Sequence, residues 1–128
     1  MQLSAWDVIW PCDPGAKPPK PKMWVCVEPD RLWFLRINST EKDGSIELPK
    51  ALHPFLDRDS WLHCHGELIE TDEAKLLTLL ERQGMPARRG ILGAIAPGVR
   101  AEAIAAIERS KLLAATQKTS IVAALGGP

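Results

Sequence analysis

Residues 6–38 read WDVIWPCDPGAKPPKPKMWVCVEPDRLWFLRIN and hold three β-rich runs separated by turn residues. The runs are Trp6–Trp10, Met23–Val27 and Leu32–Asn38. Their β-branched and aromatic residues favour strands, whereas the Pro, Gly and Asp between them are typical of turns. Segment 13–22 contains four prolines, which fix φ and remove N–H donors, so it can form neither a helix nor an interior strand. The stretch predicts three strands, with a Pro-stiffened loop after the first.

Further strands are predicted on the C-terminal side of this stretch. Ser45–Leu48 is a short fourth strand closed by a proline, and Trp61–His65 is a fifth, closed by a glycine. Ile91–Ala96 is a candidate sixth strand at an edge. Five to six short strands at this spacing favour a small curved barrel or a sandwich.

Two helices are predicted where the spacing of apolar residues changes from that of a strand to that of a helix. Leucines at 76, 77, 79 and 80 form a helical stripe within residues 72–83, with Thr71 or Asp72 as the N-cap and Gly84 as the stop. A second helix is expected after Pro97, with one apolar face formed by Val99, Ala103, Ile104, Ile107 and Leu112. Residues 116–128 carry few signals and are expected to be a frayed tail or a late strand. The prediction is an α+β chain with one barrel domain at 1–115 and a tail at 116–128.

Bulk composition limits the function classes. The chain has 128 residues, enough for one domain with a core that needs no metal or disulfide. Its formal net charge is zero, so nucleic acid would have to be bound by a local patch rather than by a global field. Residues 1–7 have no signal-peptide character, and no apolar run is long enough for a membrane span. Three cysteines without a CxxC pair are typical of reduced thiols, which predicts a cytoplasmic protein.

The fifth predicted strand carries the main candidate site. Side chains alternate along a strand, so Trp61, His63 and His65 share one face while Leu62 and Cys64 enter the core. One neutral imidazole can take a proton from a ribose 2′-OH, and the other, protonated, can give one to the leaving 5′-oxygen. Trp61 is a candidate for stacking a base. The alternatives are an exposed polar strand face without a role, and a metal site that adds His53 or an acidic residue.

Candidate phosphate-binding residues lie on two neighbouring segments. Lys17, Lys20 and Lys22 project from the Pro-stiffened loop and could pair with phosphates, or could simply be solvated. Arg36 on the third strand could stabilise a phosphorane dianion, or could pair with Glu28 or Glu47.

The order of these elements resembles the PemK/MazF family of ribonuclease toxins. The opening "WDVIW–CDPGAKPPKPKMWVCV" is similar to the family's strand, basic Pro/Gly loop and second apolar strand, with Lys20-Pro21 where the family usually carries Arg-Pro. "LWFLRINST" resembles its third strand, which ends in a Ser/Thr pair, here Ser39 and Thr40. "DSWLHCHGELIETDEA" resembles the segment before the family's first helix. The likeness spans about residues 5 to 113, and "HPFLDRDSWLHC" resembles a divergent branch of the family.

The resemblance implies an SH3-like barrel that dimerises, cleaves single-stranded RNA without a metal or other cofactor, and is inhibited by a cognate antitoxin peptide. By position, the family's catalytic arginine falls on His63 and its catalytic aspartate on His65. The family's basic residue before the proline falls on Lys20, and its strand-end hydroxyl on Ser39 or Thr40. Lysine in place of arginine loses the bidentate phosphate geometry. RNA, an antitoxin peptide and a second copy of the chain are therefore the expected partners, with neither DNA nor a membrane among them.

Overall fold

The computed structural model describes residues 1–126, which form an α+β fold in which helices pack on a curled antiparallel sheet. The strands in chain order are β1 Asp7–Ile9, β2 Cys12–Asp13, β3 Lys20–Pro21, β4 Trp24–Glu28, β5 Trp33–Asn38, β6 Ile46–Leu48, β7 Ser60–Leu62, β8 Ile69–Glu70 and β9 Gly93–Ala94. The α-helices within 1–126 are α1 Glu73–Arg82, α2 Pro97–Arg109 and α3 Ala115–Gly126. Single 3₁₀ turns occupy Lys50–Leu52 and Pro86–Arg88.

The main sheet has the order β6-β7-β5-β4-β1-β9, and β8 pairs with the start of β5. Every pair is antiparallel, and β5 is the centre because its first half pairs with β4 and its end pairs with β7. A register shift between Cys26 and Glu28 inserts an extra residue in β4. A bulge of this kind increases local twist and bends the strand, which contributes to the curl. The expected edge strand within Ile91–Ala96 is confirmed as β9, whereas β8 was not foreseen.

The Pro-stiffened loop differs from its prediction in one respect. β2 and β3 form a separate two-stranded hairpin, with Cys12 opposite Pro21 and Asp13 opposite Lys20. The hairpin lies outside the main sheet, so proline is tolerated there as it is on an edge. The prediction that segment 13–22 is not an interior strand is confirmed, but the two ends of the segment pair with each other in a hairpin.

Both faces of the central strands are buried. Val25, Val27 and Leu35 belong to a large core cluster that also contains Ile107 of α2 and Ile121 of α3. The alternate residues face the other way into a smaller cluster with α1, made of Ile9, Trp24, Cys26, Phe34, Leu76 and Leu80. This explains why β4 is a nearly continuous apolar run rather than an alternating one.

Helix boundaries follow the sequence signals at α1, and α3 corrects a prediction. Asp72 is the N-cap of α1, its Oδ1 accepting from the Lys75 N–H at 2.9 Å, and Gly84 follows with φ +82°. The segment expected to be a tail is instead α3, whose buried Ile121 and Leu125 complete the large cluster. The helical pattern of α3 could not be recognised in the sequence, because its many alanine and threonine residues do not form a distinct apolar stripe. Residues 127 and 128 of the predicted tail lie outside the described part of the chain.

Leu112 was also placed wrongly. α2 ends at Arg109, so Leu112 belongs to the α2–α3 connection and is 65% exposed instead of lying on the buried face of the helix. Within residues 1–126, no helix is both long and apolar enough to cross a membrane.

Candidate active site

Arg36 is held in a fixed orientation by Asp13. Its Nε donates to Asp13 Oδ2 at 2.6 Å and its Nη2 to Asp13 Oδ1 at 3.1 Å, a side-on bidentate pair. Asp13 is fully buried and also accepts from Trp24 Nε1 at 3.0 Å and from the Gly15 N–H at 2.7 Å. The carboxylate thus accepts four hydrogen bonds, while Nη1 of Arg36 donates to no described residue. The partner of Arg36 is therefore Asp13, and neither Glu28 nor Glu47.

A chain of hydrogen bonds runs beside this pair through His63. Lys22 Nζ donates to Asn38 Oδ1 at 2.6 Å, and the Asn38 amide lies 3.0 Å from His63 Nδ1. His63 Nε2 lies 3.0 Å from the Thr40 carbonyl oxygen, which can only accept. Nε2 therefore carries the hydrogen, and Nδ1 accepts from the Asn38 amide. Both nitrogens of His63 are engaged, and the residue is 8% exposed.

His65 is anchored differently, by the C-terminal turn of α2. Its Nε2 donates to the Ala106 carbonyl at 2.9 Å. The last four carbonyls of a helix receive no hydrogen bond from within the helix, and the Ala106 carbonyl is one of these in α2. The Ser110 N–H after the helix donates to Ile107 and not to Ala106, so the Ala106 carbonyl is left for His65. Nδ1 of His65 has no hydrogen bond to any described residue. No buried side-chain nitrogen or oxygen within 1–126 lacks one, so Nδ1 is an unpartnered nitrogen that keeps some solvent exposure.

Gly44 packs against the ring of His65. A Cβ built on Gly44 would lie 2.0 Å from Nδ1 and 2.2 Å from Cγ of His65, and Gly44 has φ +77°. Glycine is required here twice, for the left-handed backbone and for the close approach. The loop between β5 and β6 and the end of α2 therefore hold the ring from two sides.

These residues surround one polar cavity of about 590 Å³. Its lining consists of Arg36, Asn38, Lys42, Asp43, His63, His65, Gly66, Glu67 and Leu112. The structure thus brings together the three residues that were predicted to be catalytic. Of the predicted RNA-binding residues, Lys22 reaches the lining through Asn38, and Thr40 contributes its carbonyl to His63.

The other predicted RNA-binding side chains do not line this cavity. Lys17 and Lys20 are exposed on the β2–β3 hairpin, and Ser39 is exposed at the end of β5. Trp61 is half-buried opposite Asn38 and Glu47 in the sheet. Strand alternation correctly predicted that Leu62 and Cys64 are buried. It also predicted that both imidazoles are exposed, but His63 is buried and only His65 is partly exposed, because β7 ends at Leu62 and the chain then turns.

The charges of the site follow from these contacts. Burial raises the pKa of Asp13, but the hydrogen bonds from Arg36, Trp24 and Gly15 outweigh it and hold the pKa below its ordinary value. The hydrogen bond to Asp13 raises the pKa of Arg36. Asp13 and Arg36 are therefore a charged pair at neutral pH.

Burial is also the main cause of the shifts at His63 and Lys22. It lowers the pKa of His63, and the nearby positive charges of Lys42, Lys22 and Arg36 lower it further, against the opposing Thr40 hydrogen bond. Burial and the positive charge of Lys20 lower the pKa of Lys22. His63 is therefore a neutral ring at pH 7.

Sequence reasoning missed Asp13, Asn38, Lys42 and Glu67 as members of this site. The position of Asn38 in the site could have been predicted, because it is two residues from Arg36 on β5 and therefore lies on the same face of the strand. Asp13 had none, since its contact with Arg36 spans 23 residues and depends on how the hairpin folds back.

A metal site built on the histidines has no support in the described residues. No group of three or more His, Cys, Asp or Glu side chains within 1–126 is placed to hold a metal ion. His53 is fully buried away from the cavity lining, with Nδ1 donating to the Pro49 carbonyl at 2.8 Å and Nε2 accepting from the Ala96 N–H at 3.0 Å. It ties the end of β6 to the start of α2.

Comparison with known proteins adds no assignment to this geometry. No protein-family model and no curated protein sequence matches the chain.

Proposed function

We propose that this chain is a metal-independent endoribonuclease of the PemK/MazF type, which cleaves single-stranded RNA in the cavity between Arg36 and His65. The reaction is attack of the ribose 2′-oxygen on the adjacent phosphorus. The bond from phosphorus to the 5′-oxygen breaks, which gives a 2′,3′-cyclic phosphate and a 5′-hydroxyl. One group must take the 2′-OH proton and another must give a proton to the 5′-oxygen.

The observation that carries the proposal is the orientation of Arg36. Its bidentate pair with Asp13 fixes the plane of the guanidinium, Nη1 donates to no described residue, and Arg36 lines a polar cavity. A preoriented guanidinium matches the oxygens of a phosphodiester and stabilises the charge that builds up on them in the transition state. Lys22 and Lys42 add positive charge near the same cavity.

His65 is the imidazole that can exchange a proton. The Ala106 carbonyl accepts from Nε2–H in the neutral and in the protonated ring, so a proton can come and go at the open Nδ1 while the anchor stays intact. His63 is assigned a positioning role, because both of its nitrogens are used in orienting Asn38 and the Thr40 segment.

The engagement of His63 also favours a second candidate function. Of the two histidines that replace the family's arginine and aspartate, one has no free nitrogen. A barrel that binds RNA or a protein partner without cleaving RNA, as a module of a mobile element, fits this observation.

The finer features implied by the resemblance belong to the same proposal. They are an SH3-like arrangement of the barrel, a homodimer, a cognate antitoxin peptide that blocks the cavity, and action in the cytoplasm. The last is supported by Cys12, Cys26 and Cys64, which are all free thiols.

A cleavage assay tests the proposal. Labelled single-stranded RNA is incubated with the purified protein, with and without a chelator, and the products are analysed for cyclic-phosphate ends. Cleavage is expected to survive the chelator and to fall by at least about 100-fold in His65→Ala, the usual size of a proton-transfer contribution. Arg36→Lys keeps the charge but loses the bidentate geometry, so it is also expected to be slow.

Arg58→Lys is the matched control, since Arg58 is an exposed arginine outside the cavity lining. It should cleave as the wild type does. Intact RNA that co-migrates with the protein would reject the nuclease in favour of the binding module. Cleavage that is lost with chelator would reject metal independence.

A further inference from the structure

The proposed cleavage needs a general base to take the 2′-OH proton, and the structure leaves few residues that can act as one. His63 is unavailable as a proton acceptor, because its Nδ1 already accepts from Asn38 and its Nε2 carries a hydrogen. His65 offers a single open nitrogen, which can serve one of the two proton transfers. The other side chains on the cavity lining that can accept a proton are two carboxyl groups, those of Asp43 and Glu67.

Glu67 is the better placed of the two. The base must act on a 2′-OH next to the phosphate that Arg36 holds, and Glu67 lines the same cavity as Arg36, two residues after His65. The pKa of Arg36 is raised mainly by the hydrogen bond to Asp13 and in smaller part by the charge of Glu67, whereas Asp43 is not among the causes. Glu67 is nevertheless farther than a 4.0 Å ion pair, so within residues 1–126 Asp13 alone is paired with Arg36. Nη1 of Arg36, which donates to no described residue, is thus available to a phosphate.

Glu67 is also unused by the fold. Its side chain is exposed and makes no hydrogen bond or ion pair with any residue that the structure describes. It stands two residues after His65, beyond the turn in which the Gly66 N–H donates to the His63 carbonyl. A carboxylate with free lone pairs at the rim of a polar cavity is suited to take up a proton.

We propose that Glu67 is the general base and His65 the general acid of the ribonuclease reaction, an inference that rests on the proposed function. Glu67 takes the 2′-OH proton as the 2′-oxygen attacks phosphorus. His65, protonated at both nitrogens, gives its Nδ1 proton to the departing 5′-oxygen. The carboxylate gains the proton that the hydroxyl loses and the leaving group gains the imidazole's proton, so charge and atoms balance, and water returns both groups to their starting forms.

A sulfur-substituted substrate separates the two roles. In an RNA whose scissile 5′-oxygen is replaced by sulfur, the thiolate leaves without a proton, so the acid becomes dispensable while the base does not. Glu67→Gln is expected to be at least about 100-fold slower than the wild type on both substrates. His65→Ala is expected to be equally slow on normal RNA but to approach the wild-type rate on the sulfur substrate.

Glu41→Gln is the matched control, because Glu41 is an exposed glutamate outside the cavity lining. Circular dichroism confirms that each variant is folded. Glu67→Gln at the rate of Glu41→Gln would overturn the inference, as would a rescue of Glu67→Gln by sulfur or a loss seen only in Asp43→Asn. In each of these results the wild type still cleaves, so the proposed function stands. A wild type that cleaves neither substrate would refute both.

Discussion

His63 makes the stability of the fold depend on pH. Burial and neighbouring cations lower its pKa in the folded chain below the ordinary value of 6.5. The unfolded chain therefore binds more protons between that value and the folded-state pKa. The stability contributed by the neutral ring is complete above about pH 6.5 and is lost as the pH falls below it.

We expect His63→Gln to remove this part of the pH dependence. The variant should be less stable than the wild type at pH 7.5, by about 1–2 kcal/mol, because buried hydrogen bonds are lost. The difference should shrink as the pH falls from about 7 to 5. Urea midpoints of both proteins across this range measure it, and the other two histidines are common to both. Parallel curves would contradict a depressed pKa at His63.

The sequence predicted part of the cavity lining, but not the roles that its residues have in the proposed site. The three residues predicted to be catalytic, His63, His65 and Arg36, line one cavity, although a turn after β7 and not strand alternation places the two histidines there. The sequence could not tell an engaged imidazole from an open one, because the partners of His63 are a side chain 25 residues away and a carbonyl 23 residues away. Only the packing of α2 against the turn after β7 shows that His65 has the open nitrogen.

At the scale of elements, the loop between β5 and β6 and the end of α2 meet at His65. Gly44→Ala is expected to displace the imidazole, since a methyl group would overlap its Nδ1 edge. Gly84→Ala is the matched control, because Gly84 also has a positive φ, of +82°, but nothing lies within 4 Å of the position that its Cβ would take.

Both substitutions share the backbone cost of about 1 kcal/mol for alanine in the left-handed region. Gly44→Ala should therefore cost at least about 1 kcal/mol more in free energy of unfolding than Gly84→Ala, and it alone should shift the His65 ring signals in an NMR spectrum. Equal effects of the two variants would show that the ring can move aside freely.

α3 is a structural element rather than a tail, and its contribution can be measured. Ile121 is fully buried in the large core cluster, while Leu77 on α1 is 45% exposed. Ile121→Ala is expected to lower the free energy of unfolding by about 3 kcal/mol, and Leu77→Ala by less than about 1 kcal/mol. Chemical denaturation followed by tryptophan fluorescence measures both. A cost at Ile121 no larger than at Leu77 would mean that α3 is not docked.

The elements that could not be predicted from the sequence were missed for one physical reason. The strands with β-branched and aromatic runs and the capped helix α1 carry local signals, and they were predicted with small errors at their ends. α3 and β8 carry weak signals, because their stability comes from contacts made far along the chain. The Trp6 Nε1–H donates to the Leu125 carbonyl at 3.1 Å across 119 residues, and β8 depends on pairing with β5.

The formal net charge of the whole chain is zero, which limits how the proposed RNA substrate could bind. The cations near the cavity are Lys22, Arg36 and Lys42. Neutralising three phosphates on a single strand gives a slope of about −2 for log affinity against log salt concentration. We expect this value for a short RNA bound to His65→Ala, measured by fluorescence anisotropy. A slope steeper than about −4 would show that Lys17, Lys20 or other distant cations take part.

The hydrogen bond between Trp6 and Leu125 has a consequence for synthesis on the ribosome. The core cluster that contains Trp6 and Val8 also contains Leu125, so a nascent chain cannot complete that cluster until residue 125 has emerged. α2 packs in the same cluster and its last turn holds His65. A growing polypeptide therefore lacks the complete packing of α2, the helix that holds His65, so the proposed cleavage site is not fully supported until the whole core has formed.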